Sequence, residues 1–385
     1  MAEQRLTGRD PDTGRPLAVS VADGVITAVG EGPADETHWL SPGLVDLQVN
    51  GFAGHDLNAP GLTVDVVSAL VRSLHARGVT TFVPTLVTAE HERTADALAV
   101  IAAARRADPL VAHAAPYVHL EGPHISPQDG PRGVHAERWV RPPSTDEFEA
   151  WQRACGGLVG MVTLSPHHPG SAAYIAHLTA RGVHVAVGHT HADPGQIHAA
   201  AAAGARLSTH LGNGAHAVLP RHPNYLWSQL ADDRLTASLI ADGHHLPADT
   251  LVAMLRAKGQ DRCVLVSDAV ALAGCPPGHY ETPVGGRVEL HDDGRLVAAG
   301  TPYLAGAARC LSEGVAHVVA AAGLGLGAAL RMATAGPGRF VADRGRLAVG
   351  GPADLVRFAF APGDRDLTVH TALLLGRPAP GGSPR

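Results

Sequence analysis

Eight short apolar runs, most of them followed by an alanine-rich helical stretch, set the tightest limit on how this 385-residue chain can fold. They span residues 44–50, 80–84, 117–121, 159–164, 184–189, 207–210, 236–242 and 263–268. Each is continuously apolar rather than alternating, which is the pattern of parallel strands buried on both faces. Helices are predicted between most of them, at 64–77, 89–106, 174–181, 194–203 and 248–258, and Ser144-Thr145-Asp146-Glu147 has the spacing of a capping box that opens another. Eight such repeats, with no Gly-x-Gly-x-x-Gly after the first strand, favour a closed barrel over an open doubly wound sheet. The predicted fold class is therefore α/β, a (β/α)8 TIM-like barrel.

A single core stops growing at roughly 250–300 residues, so a second unit is expected. Residues 16–21 and 24–29 are β-prone and flank the turn Ala22-Asp23-Gly24, a hairpin signal. Short strands and tight turns return at 345–356. The simplest arrangement joins both ends, 1–41 and 340–385, into one small β domain beside a barrel at 42–339. A β-hairpin insertion is expected at about 280–298, with a helix following at about 305–321.

The runs end in a telling way. The strand-like segments terminate in Glu121 (within His119-Leu120-Glu121-Gly122-Pro123), His189, His210 and Asp268. In a barrel of this type the strand exits converge on one face, so residues far apart in sequence can meet there. One Glu and two His make an open three-ligand zinc site, and a separate Asp can act as base. The pattern predicts a metal-dependent hydrolase. The competing assignments are ordinary: Asp268 as a helix cap, and the histidines among the 24 in the chain as loop residues.

Several partner classes are disfavoured. A net charge of −6, with no long run of either sign, argues against nucleic acid or an anionic membrane. No apolar stretch of about 20 residues suggests a membrane span, and the polar N-terminus lacks a signal-peptide core. Cys155, Cys263, Cys275 and Cys310 lie far apart without a Cys-x-x-Cys pair, which fits a reducing cytoplasm.

Across nearly its whole length the sequence resembles the N-acetylglucosamine-6-phosphate deacetylases of the amidohydrolase superfamily. The resemblance is carried by residues 42–51 (Pro-Gly-Leu-Val-Asp-Leu-Gln-Val-Asn-Gly), His119–Pro123, Gly188-His189-Thr190, Thr209-His210-Leu211, residues 240–245, Val266-Ser267-Asp268-Ala269 and the terminal Gly-x-Leu…Ala-Asp-Leu block. It implies a distorted barrel with a β-sandwich built from both termini, usually as a homodimer. It implies Glu121, His189 and His210 as metal ligands, Asp268 as acid/base, and His135 facing the substrate carbonyl. His245 and Arg221 would contact substrate, Arg221 at its phosphate. Gln48 and Asn50 stand where two-metal relatives carry His-x-His, and amides are poor ligands for a second zinc ion. One divalent ion per chain, zinc, is therefore expected, with a small N-acetyl amino-sugar phosphate as partner.

The sequence departs from the family at Gly212-Asn213-Gly214-Ala215-His216, where a bulkier residue and then Asn-Ala-Met are usual. Asn213 is retained, and with Gly214 it is expected to line the sugar site. The two glycines are expected to enlarge or loosen the pocket. Arg221 precedes His222-Pro223-Asn224-Tyr225 in place of Glu-Pro-Gly-Leu, and His124 replaces an apolar residue. The leading expectation is deacetylation of N-acetylglucosamine 6-phosphate. One alternative is deacylation of an unphosphorylated or larger N-acyl sugar. Another is a non-catalytic barrel that only binds.

Overall fold

The computed structural model describes residues 3–301 and 303–379. Eight strands form one parallel sheet in sequence order: β1 (Leu44–Val49), β2 (Val79–Val87), β3 (Val118–Glu121), β4 (Val159–Leu164), β5 (His184–Val187), β6 (Leu207–Ser208), β7 (Thr236–Ile240) and β8 (Cys263–Val266). A parallel bridge from Val49 to Ala269 joins the first strand to the segment after the last and closes the barrel. Every residue of β1, β3, β7 and β8 is buried, as unbroken apolar runs require.

Two cores follow from this closure. Val83 from β2 and Met161, Ala186, Leu207, Ile240 and Val264 from β4 to β8 cluster inside the barrel. Phe340 and Val341 join them, and Phe340 packs edge-on against His184 at the start of β5. Phe340 thus plugs the N-terminal end and leaves the opposite mouth for chemistry. The larger core lies outside, under helices that include Val64–Ala76, His91–Ala107, Thr145–Cys155, Ser171–Thr179, Pro194–Ala203 and Ala248–Lys258. The Ser144 side chain accepts from the Glu147 N–H, so the cap opens its helix where the sequence places it.

Both chain ends build one seven-stranded sheet, with the C-terminal strands Arg377–Pro378, Thr368–Leu374 and Leu355–Ala359 beside Trp39–Pro42, Gln4–Arg9, Pro16–Ala22 and Val25–Glu31. The sheet curls so that Val25 bridges to Pro352, enclosing Val19, Ile26, Leu40, Leu355 and Leu373 in a core of its own.

The insertion after β8 is larger than a hairpin. Gly278–Thr282, Gly286–Leu290, Arg295–Ala298 and Leu304–Ala307 form a four-stranded antiparallel sheet. The helix expected at about 305–321 accordingly begins later, at Leu311–Ala322. Residues 304–307 pair with Arg295–Ala298, and Ala307 bridges Ala269, so tertiary pairing overrides their helix-forming alanines. Glu313 then closes a capping box on Cys310.

Candidate active site

Four strand exits deliver the candidate side chains by a shared backbone device. His189, His210 and Asp268 have positive φ (47°, 29° and 50°), and Glu121 is followed by Gly122 at 84°. A left-handed residue turns the chain sharply off its strand and projects the side chain over the mouth. Such backbone is unfavourable for most residues and persists only when the surroundings hold it. Here the Ser126 N–H donates to the His189 carbonyl at 2.9 Å, the His210 N–H to Ser238 Oγ at 2.7 Å, and the Asp268 N–H to the Gln48 carbonyl at 3.0 Å.

The three exits at Glu121, His189 and His210 meet at one point. Glu121 Oε1 lies 3.1 Å from His189 Nε2 and 2.9 Å from His210 Nε2, and the two imidazole nitrogens are 3.1 Å apart. Among the described residues this is the one set of three His, Cys, Asp or Glu whose ligand atoms gather within 4.8 Å. All three are buried. His189 Nδ1–H donates to the Pro131 carbonyl at 2.8 Å, which fixes the ring with Nε2 pointing into the triangle. The Gln48 amide donates to Glu121 Oε1 at 2.8 Å and orients the carboxylate. Burial alone would raise the Glu121 carboxyl, but hydrogen bonds from both histidines pull it well below the usual range. His210 is raised: burial disfavours its charge, and Glu121 outweighs that.

These donors fit a divalent cation. Ligands about 2.1 Å from a tetrahedral ion stand roughly 3.4 Å apart, slightly wider than the edges seen here. Two neutral imidazoles and one carboxylate are borderline to hard donors that suit zinc and its neighbours.

Asp268 stands beside this triangle. Its Oδ1 accepts from Asn50 Nδ2 at 2.7 Å. Burial, and then the Glu121 charge, push its carboxyl up to about 6. His135 is buried with its ring edge-on to His189, centroids 4.4 Å apart. Burial first, then His189, push it down to about 3, so it is neutral. Its Nδ1 lies 2.8 Å from Thr88 Oγ1. His245 Nδ1 is 2.6 Å from Asp242 Oδ2, while Asp242 Oδ1 accepts the N–H groups of His244 and His245, both at 2.8 Å. Although burial opposes it, the His245 hydrogen bond brings Asp242 to about 2. His244 faces elsewhere, onto the Asp293 carbonyl of the inserted sheet.

The 212–216 loop corrects one expectation. A Cβ at Gly212 would lie 2.8 Å from Met254 Cε, and one at Gly214 would lie 2.8 Å from His189 Nδ1. These glycines do not loosen a pocket; they let backbone close onto the core and onto the imidazole. Asn213 Nδ2 is buried with no hydrogen-bond partner among the described residues, a donor available to a ligand. Arg221 is exposed and, among the described residues, pairs with no other group.

Sequence reasoning missed four supporting groups. They are Asp242 behind His245, Thr88 behind His135, the Pro131 carbonyl behind His189, and Asp46, whose Oδ1 accepts from the Ser267 and Gln48 N–H groups. Asp242 had a signal, since Asp-Gly-His-His places an acceptor three residues before a histidine. The Pro131 contact is a backbone atom and had none.

Comparison with known proteins matches this arrangement to one family. The amidohydrolase family profile matches residues 39–378. N-acetylglucosamine-6-phosphate deacetylase of Bacillus subtilis is 33% identical over 297 residues, 75% of this chain and 71% of that protein. N-acetylgalactosamine-6-phosphate deacetylase of Escherichia coli O157:H7 is 33% identical over 335 residues, 85% of each. A solved structure of a mutant Mycobacterium smegmatis N-acetyl-D-glucosamine-6-phosphate deacetylase, in complex with N-acetyl-D-glucosamine-6-phosphate, superposes with a TM-score of 0.86 at 30% identity, covering 98% of this chain and all of that one.

Proposed function

Because the chain belongs to the amidohydrolase family and, within it, to the N-acetylglucosamine-6-phosphate deacetylases, we propose that this hydrolase cleaves the acetamide of N-acetylglucosamine 6-phosphate to give glucosamine 6-phosphate and acetate. The observation that carries this is the convergence of Glu121, His189 and His210 on one point beside Asp268.

One zinc ion per chain would be held by those three side chains. Bound there, it would act as a Lewis acid, lowering the pKa of a water from 15.7 towards about 7 and polarising the amide carbonyl. Asp268 takes the proton of the attacking water and returns it to the leaving nitrogen. A carboxyl raised to about 6 is ionised at neutral pH yet basic enough for the transfer. Thr88 Oγ1, 2.8 Å from Nδ1, orients the His135 ring, and in its Nε2–H tautomer the imidazole donates to the carbonyl oxygen as that atom gains charge. Gln48 and Asn50 are positioning groups, the first on Glu121 and the second on Asp268. His245, held by Asp242, and Asn213 contact the sugar, Gly214 packs on the His189 ring, and Arg221 binds the phosphate. Four free cysteines support a reducing cytoplasmic setting.

A second reading keeps the chemistry and changes one stereocentre, because N-acetylgalactosamine-6-phosphate deacetylases match at 33% and 30% identity over 85% and 88% of the chain. The test compares kcat/KM for both sugar phosphates and for unphosphorylated N-acetylglucosamine. A higher value for N-acetylglucosamine 6-phosphate sustains the first reading; a higher value for the galactosamine epimer replaces it with the second.

A further inference from the structure

His216 stands where the sequence departs from its family, and the structure gives it a full set of partners outside the triangle of Glu121, His189 and His210. Its N–H donates to the Tyr225 hydroxyl at 2.9 Å, its Nδ1 lies 3.0 Å from the same hydroxyl, and its Nε2 lies 2.9 Å from Gln128 Oε1. One proton arrangement satisfies all three contacts. Gln128 Oε1 can only accept, so Nε2 carries the hydrogen. Nδ1 must then accept, and the Tyr225 O–H donates to it while taking the His216 N–H on its oxygen.

The two segments joined this way are the ones that enclose His189. Gln128 belongs to the loop after β3, which supplies the Pro131 carbonyl to His189 Nδ1. His216 belongs to the loop after β6, in which Gly214 lies against the same ring. The two loops also touch as backbone, because a Cβ on Gly130 would stand 3.0 Å from both the Ala215 carbonyl oxygen and His216 Cα. The Tyr225 ring is buried, so the hydroxyl is a fixed anchor.

We infer that Tyr225, His216 and Gln128 form a clasp that holds the Pro131 carbonyl on His189 and so sets how tightly the chain retains its metal ion. His216 and Tyr225 are positioning residues in this scheme and touch neither ion nor substrate. The inference rests on Glu121, His189 and His210 holding an ion, as proposed above. An imidazole whose Nδ1–H is held by a carbonyl keeps both its tautomer and its aim, and loss of such an outer partner typically weakens metal binding by about 10–100-fold.

The test loads the full chain with zinc and follows its loss to excess EDTA by elemental analysis, for wild type, His216→Ala, Tyr225→Phe and His216→Gln. The first two should lose zinc about tenfold faster or more, while the melting midpoint of the metal-free protein stays near that of wild type. His216→Gln, which can still donate to Gln128, should recover part of the retention. Excess zinc should restore kcat in His216→Ala with KM little changed. Zinc loss at the wild-type rate in both His216→Ala and Tyr225→Phe overturns the clasp. So does a raised KM that added zinc does not correct, which would mark His216 as a substrate contact. Wild type that retains zinc but leaves the sugar phosphates intact overturns the proposed function alone; wild type that binds no zinc overturns both.

Discussion

Asn50 Nδ2 donates to Asp268 Oδ1 at 2.7 Å across the seam where the first and last barrel segments meet. The proposed base is thereby tied to the strand whose neighbouring Gln48 orients Glu121. Asp268→Asn should keep zinc and the fold but lose the proton acceptor, and turnover should drop by about 10²–10⁴-fold. Steady-state kinetics with elemental analysis on the same sample checks both halves. Near-normal turnover would move the base to His245 or His135.

The pH profile should carry the same residue. Asp268 must be ionised to accept a proton, so kcat/KM should fall as pH drops through its pKa. Burial and the Glu121 charge raise that carboxyl to about 6. A dication beside Glu121 opposes the second of these causes, so the loaded enzyme's acidic limb should lie at or below pH 6, and Asp268→Asn should abolish it. An acidic limb that persists unchanged in Asp268→Asn would assign it to another group.

Metal content should approach one ion per chain. His189→Ala or His210→Ala should remove both ion and turnover, since an open site of three protein ligands has none to spare. Two tightly held ions per chain would contradict the expectation drawn from Gln48 and Asn50.

Gly214→Ala should behave like damage to the ion site. The new Cβ would meet His189 Nδ1 at 2.8 Å, where the ring already donates to Pro131. Zinc affinity should fall with little change in KM at saturating metal. An unaltered affinity together with a raised KM would place Gly214 at the sugar instead.

Arg221 separates phosphorylated from unphosphorylated substrates. Arg221→Ala should raise KM for the sugar phosphate by an amount worth about 2–3 kcal/mol, and leave the poor use of the plain sugar unaffected. Lysine should substitute badly for a planar, bidentate fork. If both substrates respond alike, Arg221 is a solvated surface residue.

The barrel was legible because two-sided burial leaves unbroken apolar runs, and the active face because a polar residue ending such a run has little reason to be there otherwise. His189, His210 and Asp268 are of this kind. The supports of the site were less legible. Thr88 meets His135 across 47 residues, and Pro131 meets His189 across 58 through a backbone oxygen. Neither relation has a spacing or a residue type to betray it. Residues 305–307 read as the start of a helix because alanine content speaks for local preference, while their pairing with Arg295–Ala298 is decided by the sheet. The glycines at 212 and 214 were misread in the opposite sense, because a missing side chain looks like space until the neighbours are known.

The left-handed backbone at 189, 210 and 268 limits how this enzyme can be altered. Asn, Asp and His enter that conformation several times more readily than most side chains, while β-branched residues are outliers there. The identities required for chemistry at these exits are thus drawn from the few that the chain's own geometry admits. Saturation libraries at the three positions, scored only for soluble expression, should return Gly, Asn, Asp and His and be depleted of Val, Ile and Thr. New activities grafted onto this face would have to be built from that same short alphabet.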